Sequence, residues 1–174
     1  GRMVALQLET GEELWESDLT GGKTELMDAD EDPIIVGERL YAAGYDGGLY
    51  ALNRQDGRTI WHQPMRGVAD FELGGSELYV ASSTSRVLAL DLEDGEPRWS
   101  FRLDDSIPVA VSPTESYLFV STSQGPLYTL DRETGYPMRK WSPSTGFNTR
   151  VIVGEKQLYA FSNRGYLYGF RVAH

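Results

Sequence analysis

Short apolar runs, each followed by a polar turn, recur along the whole chain. Four of these runs match one another in pattern: Val4-Ala5-Leu6, Tyr50-Ala51-Leu52, Leu88-Ala89-Leu90 and Tyr128-Thr129-Leu130. Each run leads into a polar cluster that ends in glycine, and in three copies a tryptophan follows that glycine by four residues. Runs of β-prone residues bounded by such clusters predict a strand, a tight turn and a second strand. The pattern therefore predicts repeated antiparallel hairpins.

The spacing of the turn glycines defines the repeat unit. These glycines lie 46, 38 and 40 residues apart, at Gly11, Gly57, Gly95 and Gly135. A period of about 40 residues is typical of four-stranded propeller blades. The sequence therefore predicts an all-β fold, a β-propeller of four-stranded antiparallel blades, of which this chain forms a partial propeller of about four blades.

The glycine and the tryptophan of each unit have different predicted roles. Glycine supplies the positive φ that a tight turn needs. The tryptophans Trp15, Trp61 and Trp99 follow these turns on the next strand, where a large aromatic side chain can cover the neighbouring blade. We expect these tryptophans and the four turn glycines to dock one blade on the next. The fourth copy has Arg139 where the tryptophan would stand.

The strand pattern also divides the chain into blades. The predicted parts are a half blade at 1–19, a loop at 20–32, full blades at 33–64, 69–101 and 107–141, and an incomplete last blade at 149–172. Two strands at the start and three at the end leave sheet edges unpaired, which propellers normally avoid. We therefore expect a partner for these edges. It is either a missing N-terminal half of the native protein or a second copy that completes an eight-bladed ring, and the mass from light scattering tests the second copy.

Composition and charge exclude several classes of function. The chain has 174 residues, of which 40% are hydrophobic and 24% charged, as in a globular domain. A formal net charge of −10 argues against nucleic-acid binding, which needs clustered Lys and Arg. Because the chain has no cysteine, thiolate catalysis and zinc–sulfur sites are excluded.

No catalytic motif is visible in the sequence. The two histidines, His62 and His174, are far apart, and neither a Gly-x-Ser-x-Gly motif nor a phosphate-binding glycine-rich loop before a helix occurs. We therefore expect no enzymatic activity, no cofactor and no metal site.

The acidic segment 28–33 is the best candidate for a binding site. It places Asp28, Asp30, Glu31 and Asp32 on the longest linker of the chain, directly before an innermost strand. Long loops in compact repeat proteins are commonly functional. The favoured interpretation is a docking loop for a basic protein surface. A calcium loop, for which the EF-hand spacing is not met, and a plain solvated surface are the alternatives.

The repeat Ala-x-Asp-x-x-x-Gly-x-x-x-Trp resembles the tryptophan-docking motif of the quinoprotein-like (PQQ-repeat) eight-bladed propellers. Within that superfamily, the chain is similar to the C-terminal half of the BamB family of outer-membrane β-barrel assembly lipoproteins. Three stretches carry this likeness: Asp28-Ala29-Asp30-Glu31-Asp32-Pro33-Ile34-Ile35-Val36, Val68-Ala69-Asp70-Phe71 and Thr145-Gly146-Phe147-Asn148-Thr149.

The resemblance implies a non-catalytic scaffold in the periplasm, associated with the outer membrane, that binds a POTRA domain of the barrel-forming subunit BamA. The docking Asp-x-Asp pair of the family matches Asp28 and Asp30. Together with Leu26 on the same predicted loop, these are the predicted partner-binding residues. Two other interpretations stay open. One is a PQQ-repeat sensor or ligand-binding domain of a larger protein, and the other is a fragment of a PQQ-dependent dehydrogenase, whose family commonly carries a vicinal cysteine pair that this chain lacks.

Overall fold

The structure of the protein, a computed structural model, describes residues 1–22, 31–143, 145–154 and 157–171. These residues form seventeen β-strands. Within the same ranges there is no helix, and so none that is long and apolar enough to cross a membrane. The predicted partner-binding residues Leu26, Asp28 and Asp30 lie outside the described residues. The chain divides into two compact units, 1–68 with 94–96 and 69–93 with 97–174.

The first unit contains a two-stranded and a four-stranded antiparallel sheet. The strands of the smaller sheet are β1 (Arg2–Leu6) and β2 (Glu13–Asp18), and those of the larger sheet are β3 (Ile34–Val36), β4 (Arg39–Gly44), β5 (Gly48–Asn53) and β6 (Thr59–Gln63). Each strand pairs with the next strand along the chain. This meander is what short connections between antiparallel strands produce.

The second unit contains two four-stranded sheets and one three-stranded sheet. Its strands are β7 (Val68–Gly74), β8 (Glu77–Ser82), β9 (Arg86–Asp91), β10 (Pro97–Arg102), β11 (Pro108–Pro113), β12 (Tyr117–Thr122), β13 (Leu127–Asp131), β14 (Pro137–Trp141), β15 (Ile152–Val153), β16 (Gln157–Phe161) and β17 (Leu167–Arg171). The three-stranded sheet consists of β15 to β17, and within the described ranges β17 pairs with β16 alone. The predicted all-β fold of four-stranded antiparallel sheets is confirmed.

Two strand boundaries have a clear local reason. The first strand ends at Leu6 because the Gln7 N–H bonds to the Glu12 oxygen and the Gly11 N–H to the Gln7 oxygen, which closes the turn. The strand β15 begins only at Ile152. Just before it, the Val151 N–H bonds to a side chain, Ser112 Oγ, instead of a neighbouring strand.

A β-bulge recurs beside Trp15, Trp61 and Trp99. In the pairing of β1 with β2, Ala5 lies opposite Trp15, and the register then shifts by one residue. The same arrangement pairs Ala51 with Trp61 and Ala89 with Trp99. A bulge turns the strand locally. A small residue opposite the indole leaves room for the ring at that turn.

The second strand of each four-stranded sheet is buried over most of its length. Strands β4, β8 and β12 are buried over their last five residues, whereas exposed residues alternate with partly buried ones along the outer strands β2 and β10. Burial on both faces explains why the second strands have continuous apolar runs. The outer strands therefore hold the polar side chains that face solvent.

Candidate functional site

In the first unit, two tryptophans lie against turn glycines of the following repeat. Trp15 donates its indole N–H to the backbone oxygen of Arg54 at 3.1 Å. A Cβ added to Gly57 would lie 2.5 Å from the Trp15 ring, and a Cβ added to Gly95 would lie 2.6 Å from the Trp61 ring. Both glycines have positive φ, 70° and 76°. Glycine is therefore needed for the backbone conformation and for the space that the indole fills.

In the second unit, Trp99 makes the equivalent contacts. Its indole N–H donates to the backbone oxygen of Arg132 at 3.0 Å, and a Cβ added to Gly135 would lie 2.5 Å from the ring. The ring also lies beside Tyr79, with 5.9 Å between ring centroids. The side chain thus closes one edge of a core cluster that includes Tyr79.

Gly11 and Arg139, the first turn glycine and the residue in place of the fourth tryptophan, do not make the contacts described above. Gly11 has the same positive φ, 72°, but no described atom lies within 4 Å of the place a Cβ would take. A docking role for Gly11 therefore stays a prediction. Arg139 lies opposite Thr129 in the β13–β14 pair and is exposed.

Arg132 joins three segments of the second unit, a role for which the sequence carries no motif. Its guanidinium donates to the Tyr79 hydroxyl at 2.9 Å and to the backbone oxygens of Gly74 at 2.9 Å and Thr114 at 2.8 Å. It also pairs with Glu77, with 3.4 Å between Nη2 and Oε2. The planar guanidinium presents several donors in fixed directions, which suits such multiple contacts. Arg132 therefore secures the same turn that receives the Trp99 indole.

The Tyr79 hydroxyl is shielded by this network. It donates to Glu77 Oε2 at 2.6 Å. Burial, with a smaller contribution from Glu77, raises the pKa of Tyr79 to about 12 from the ordinary value of 10.0. The hydrogen bond to Tyr79 in turn raises the pKa of Arg132. The pair therefore stays in the neutral-phenol, charged-guanidinium form at every physiological pH.

We expect the free energy of unfolding to fall between pH 10 and pH 12 in a way that depends on Tyr79. The raised pKa means that the folded state favours the neutral phenol, so stability is lost as pH rises through about 12. The measurement is an absorbance titration of tyrosinate in the folded protein, compared with Tyr79→Phe. The difference between the two curves, which reports the Tyr79 phenol alone, should have its midpoint near pH 12. A midpoint near pH 10 would contradict the shielding of the hydroxyl.

A second cluster joins the innermost strand β7 to the segment before β15. Asp70 is buried and accepts the Val111 N–H at 2.8 Å. Arg150 forms ion pairs with both Asp70 and Glu72. Burial raises the pKa of Glu72, with Arg150 opposing that shift and Asp70 adding to it. The cluster therefore holds residues 80 positions apart in sequence, Asp70 and Arg150, by charge-assisted hydrogen bonds.

A cleft of about 610 Å³ lies between the sheet of β11 to β14 and the sheet of β15 to β17. Its lining is mainly aromatic and aliphatic, with cationic side chains among them: Tyr117, Phe119, Leu127, Thr129, Met138, Arg139, Lys140, Trp141, Leu158, Phe170 and Arg171. Trp141 packs edge-on against Phe170, with 4.8 Å between centroids. The cleft lies beside β17, the strand that has one unpaired edge within the described ranges.

The described residues offer little for catalysis or metal binding. Among them, no group of three or more His, Asp or Glu side chains is close enough to hold a metal ion. His62 instead bonds to the Gly47 oxygen at 2.6 Å. The structure therefore brings Trp15, Trp61 and Trp99 against Gly57, Gly95 and Gly135, whereas the predicted partner-binding residues Leu26, Asp28 and Asp30 lie outside the described residues.

Repeated four-stranded antiparallel sheets, with a tryptophan docked on the turn glycine of the next repeat, define a tryptophan-docked β-propeller. The family profile described as outer membrane protein assembly factor BamB matches residues 1–174, and the chain belongs to this family. The predicted PQQ-repeat kinship is thereby confirmed. So is the expected location, which is the periplasm in association with the outer membrane.

Individual relatives agree with this assignment. The outer membrane protein assembly factor BamB of Kangiella koreensis is 28% identical over 175 residues, which cover 97% of this chain and 45% of that protein. The crystal structure of BamB from Moraxella catarrhalis has a TM-score of 0.77 at 20% identity, covering 98% of this chain and 55% of that one. Saccharomyces cerevisiae Sqt1 has a TM-score of 0.82 at 15% identity, covering 99% and 53%. The chain spans about half the length of each of these proteins.

Proposed function

We propose that the protein is a non-catalytic, BamB-like scaffold of outer-membrane β-barrel protein assembly. The observation that carries this proposal is the family match, which extends over the whole chain. The relatives are named as assembly factors, not as enzymes. A propeller of docked sheets also suits a scaffold, because its loops present binding groups on a rigid support.

We further propose that the acidic segment docks on a basic surface of a POTRA domain of BamA. Asp28 and Asp30 would accept charge-assisted hydrogen bonds from Arg or Lys of the partner, and Leu26 would add an apolar contact. The net charge of −10 supports a basic partner, because complementary charge steers association. The described residues on each side of the segment, up to Gly22 and from Glu31, belong to the first unit.

The test is a charge reversal with a matched control. We expect Asp28→Lys/Asp30→Lys to weaken binding to the purified periplasmic region of BamA by about tenfold or more, because two attractive contacts become repulsive. The control is Glu115→Lys/Glu133→Lys, which makes the same change in net charge at two exposed positions of the second unit. Binding is measured by titration calorimetry.

The control separates a local contact from general charge. If both double variants weaken binding equally, the effect comes from net charge, and the acidic segment is not the docking site. If neither changes binding, the contact lies elsewhere.

A further inference from the structure

The cleft between the sheet of β11 to β14 and the sheet of β15 to β17 lies where the fourth repeat departs from the other three. In those repeats a tryptophan on the outer strand lies against a turn glycine, as Trp99 lies against Gly135. The fourth repeat has Arg139 in that place, opposite Thr129, and both residues line the cleft. An exposed arginine thus stands where the other repeats place an indole between two sheets.

The apolar wall of the cleft is formed by both sheets. Phe119, Leu127 and Leu158 line it and are buried members of one hydrophobic cluster. Trp141 and Phe170, which pack edge-on against each other, complete this wall. The volume of about 610 Å³ falls within the roughly 300–1,000 Å³ that is typical of ligand sites. The wall is therefore formed by the packing of the protein itself, and a large apolar side chain fits against it.

The same cleft carries exposed positive charge. Arg139, Lys140 and Arg171 line it and are exposed. Within the described ranges none of the three forms an ion pair, whereas Arg132 and Arg150 of the same unit pair with carboxylates. None of the described lining residues is acidic. In a chain with a net charge of −10, this cleft therefore combines an apolar wall with a local excess of cations.

We propose that the cleft binds an acidic segment of a protein partner that carries a large apolar side chain. The apolar side chain enters between the two sheets, and carboxylates on either side of it pair with Arg139 and Arg171. The planar guanidinium group suits this role, because its N–H donors match the geometry of a carboxylate. This inference rests on the proposed function, in that a scaffold binds proteins. All residues of the site belong to the second unit.

The test uses a synthetic peptide of this chemistry. The probe is the fluorescein-labelled peptide Gly-Ser-Glu-Asp-Phe-Asp-Glu-Ser-Gly, and its binding is followed by fluorescence anisotropy. One control peptide has Ala in place of Phe, and the other has Gln and Asn in place of Glu and Asp. We expect the probe to bind at least about tenfold more tightly than either control, because each control lacks one half of the recognition.

Protein variants locate the binding site of the probe. Arg139→Gln/Arg171→Gln should weaken binding about tenfold, because the carboxylates lose their partners. The matched control is Arg86→Gln/Arg102→Gln, which makes the same change in net charge at two exposed positions of the second unit that do not line the cleft. It should leave binding within about twofold, because charges outside the site contribute little to it.

A third variant fills the cleft instead of removing charge from two positions. Arg139→Trp gives the fourth repeat the residue of the other three, and its indole would occupy the apolar wall. We expect at least about fivefold weaker binding of the probe, because the ring competes with the apolar side chain of the peptide. Circular dichroism checks that each variant is folded. A folded Arg139→Trp variant that binds the probe like the wild type would overturn the proposal.

The other outcomes are equally decisive. Equal weakening by the two double variants would mean general attraction between opposite charges, and so would equal binding of the probe and the Ala peptide; either result overturns the site. Binding of phosphatidylglycerol vesicles without binding of the probe would assign the cleft to a lipid surface and also overturn it. A titration with the periplasmic region of BamA separates this inference from the proposed function. Binding of BamA without the probe refutes the cleft alone, and binding of the probe without BamA refutes the docking proposal alone.

Discussion

Replacing Trp99 by alanine is expected to lower the free energy of unfolding by about 3 kcal/mol. Truncation of a large buried aromatic side chain usually costs about 3–5 kcal/mol, and the lower end applies because the Trp99 ring is partly exposed. The substitution removes the indole that lies against Gly135 and its hydrogen bond to the Arg132 oxygen. Urea unfolding followed by far-ultraviolet circular dichroism measures the change without using tryptophan as the probe.

Two further variants test the cause of that loss. Trp99→Phe keeps much of the apolar contact but removes the N–H donor, so we expect a loss of about 1–2 kcal/mol, from the hydrogen bond and the smaller ring. Tyr136→Ala removes an exposed aromatic side chain near the same turn and should change stability by less than about 0.5 kcal/mol. A Trp99→Ala variant as stable as the wild type would contradict the docking role.

Replacing Asp70 by alanine is expected to cost about 2–3 kcal/mol. The carboxylate is only 4% exposed and pairs with Arg150, which is 46% exposed. Removing one partner of a buried pair usually costs about 3–5 kcal/mol, because the other charge is left unpaired. Because the Arg150 side chain is partly exposed, water can solvate its charge once Asp70 is removed, which reduces the loss of stability. The Val111 N–H, however, would lose its acceptor, Asp70 Oδ2.

The neighbouring Glu72 provides the control for this prediction. Glu72 also pairs with Arg150, but its side chain is 28% exposed and it accepts no bond from Val111. Glu72→Gln should therefore cost less than about 1 kcal/mol. Thermal unfolding at pH 7 compares the two variants. Equal losses for Asp70→Ala and Glu72→Gln would mean that the bond to Val111 contributes nothing.

The fold could be predicted from the sequence because its signals are local and repeated. Each turn glycine and the tryptophan four residues after it lie within one hairpin, so the spacing alone predicts the strand, turn and strand. The bulge beside Trp15, Trp61 and Trp99 was not foreseen, because an extra residue in one strand leaves no distinct mark on an apolar pattern.

The ion-pair clusters could not be predicted, for a different reason. Asp70 and Arg150 are 80 residues apart, and each has an ordinary local context. Only the stacking of successive sheets brings them together. The contacts of Arg132 had a weak signal: the Asn53-Arg54 and Asp131-Arg132 pairs occupy the same place in two repeats. The backbone oxygens of both arginines accept a tryptophan N–H, which a repeat alignment alone does not reveal.

The acidic segment differs from these clusters, because its candidate binding residues are identified from the sequence alone. Asp28 and Asp30 are prominent in the sequence, but they lie outside the described residues, which run to Gly22 and resume at Glu31. Gly44 and Gly47 have no distinct sequence signal, because glycine in a hairpin turn is ordinarily explained by the turn itself. The structure shows a second reason for glycine there, since a Cβ at either position would overlap the Leu19 backbone oxygen.

The proposed role of this protein is that of a scaffold that binds the barrel-assembly machinery. The most direct test is titration calorimetry of the unmodified protein against the purified periplasmic region of BamA, at low salt and again at higher salt. We expect saturable binding that weakens as salt rises, because an acidic segment meets a basic surface. No binding at either salt concentration would contradict the scaffold role. The chain would then share the fold of its family but not the proposed function.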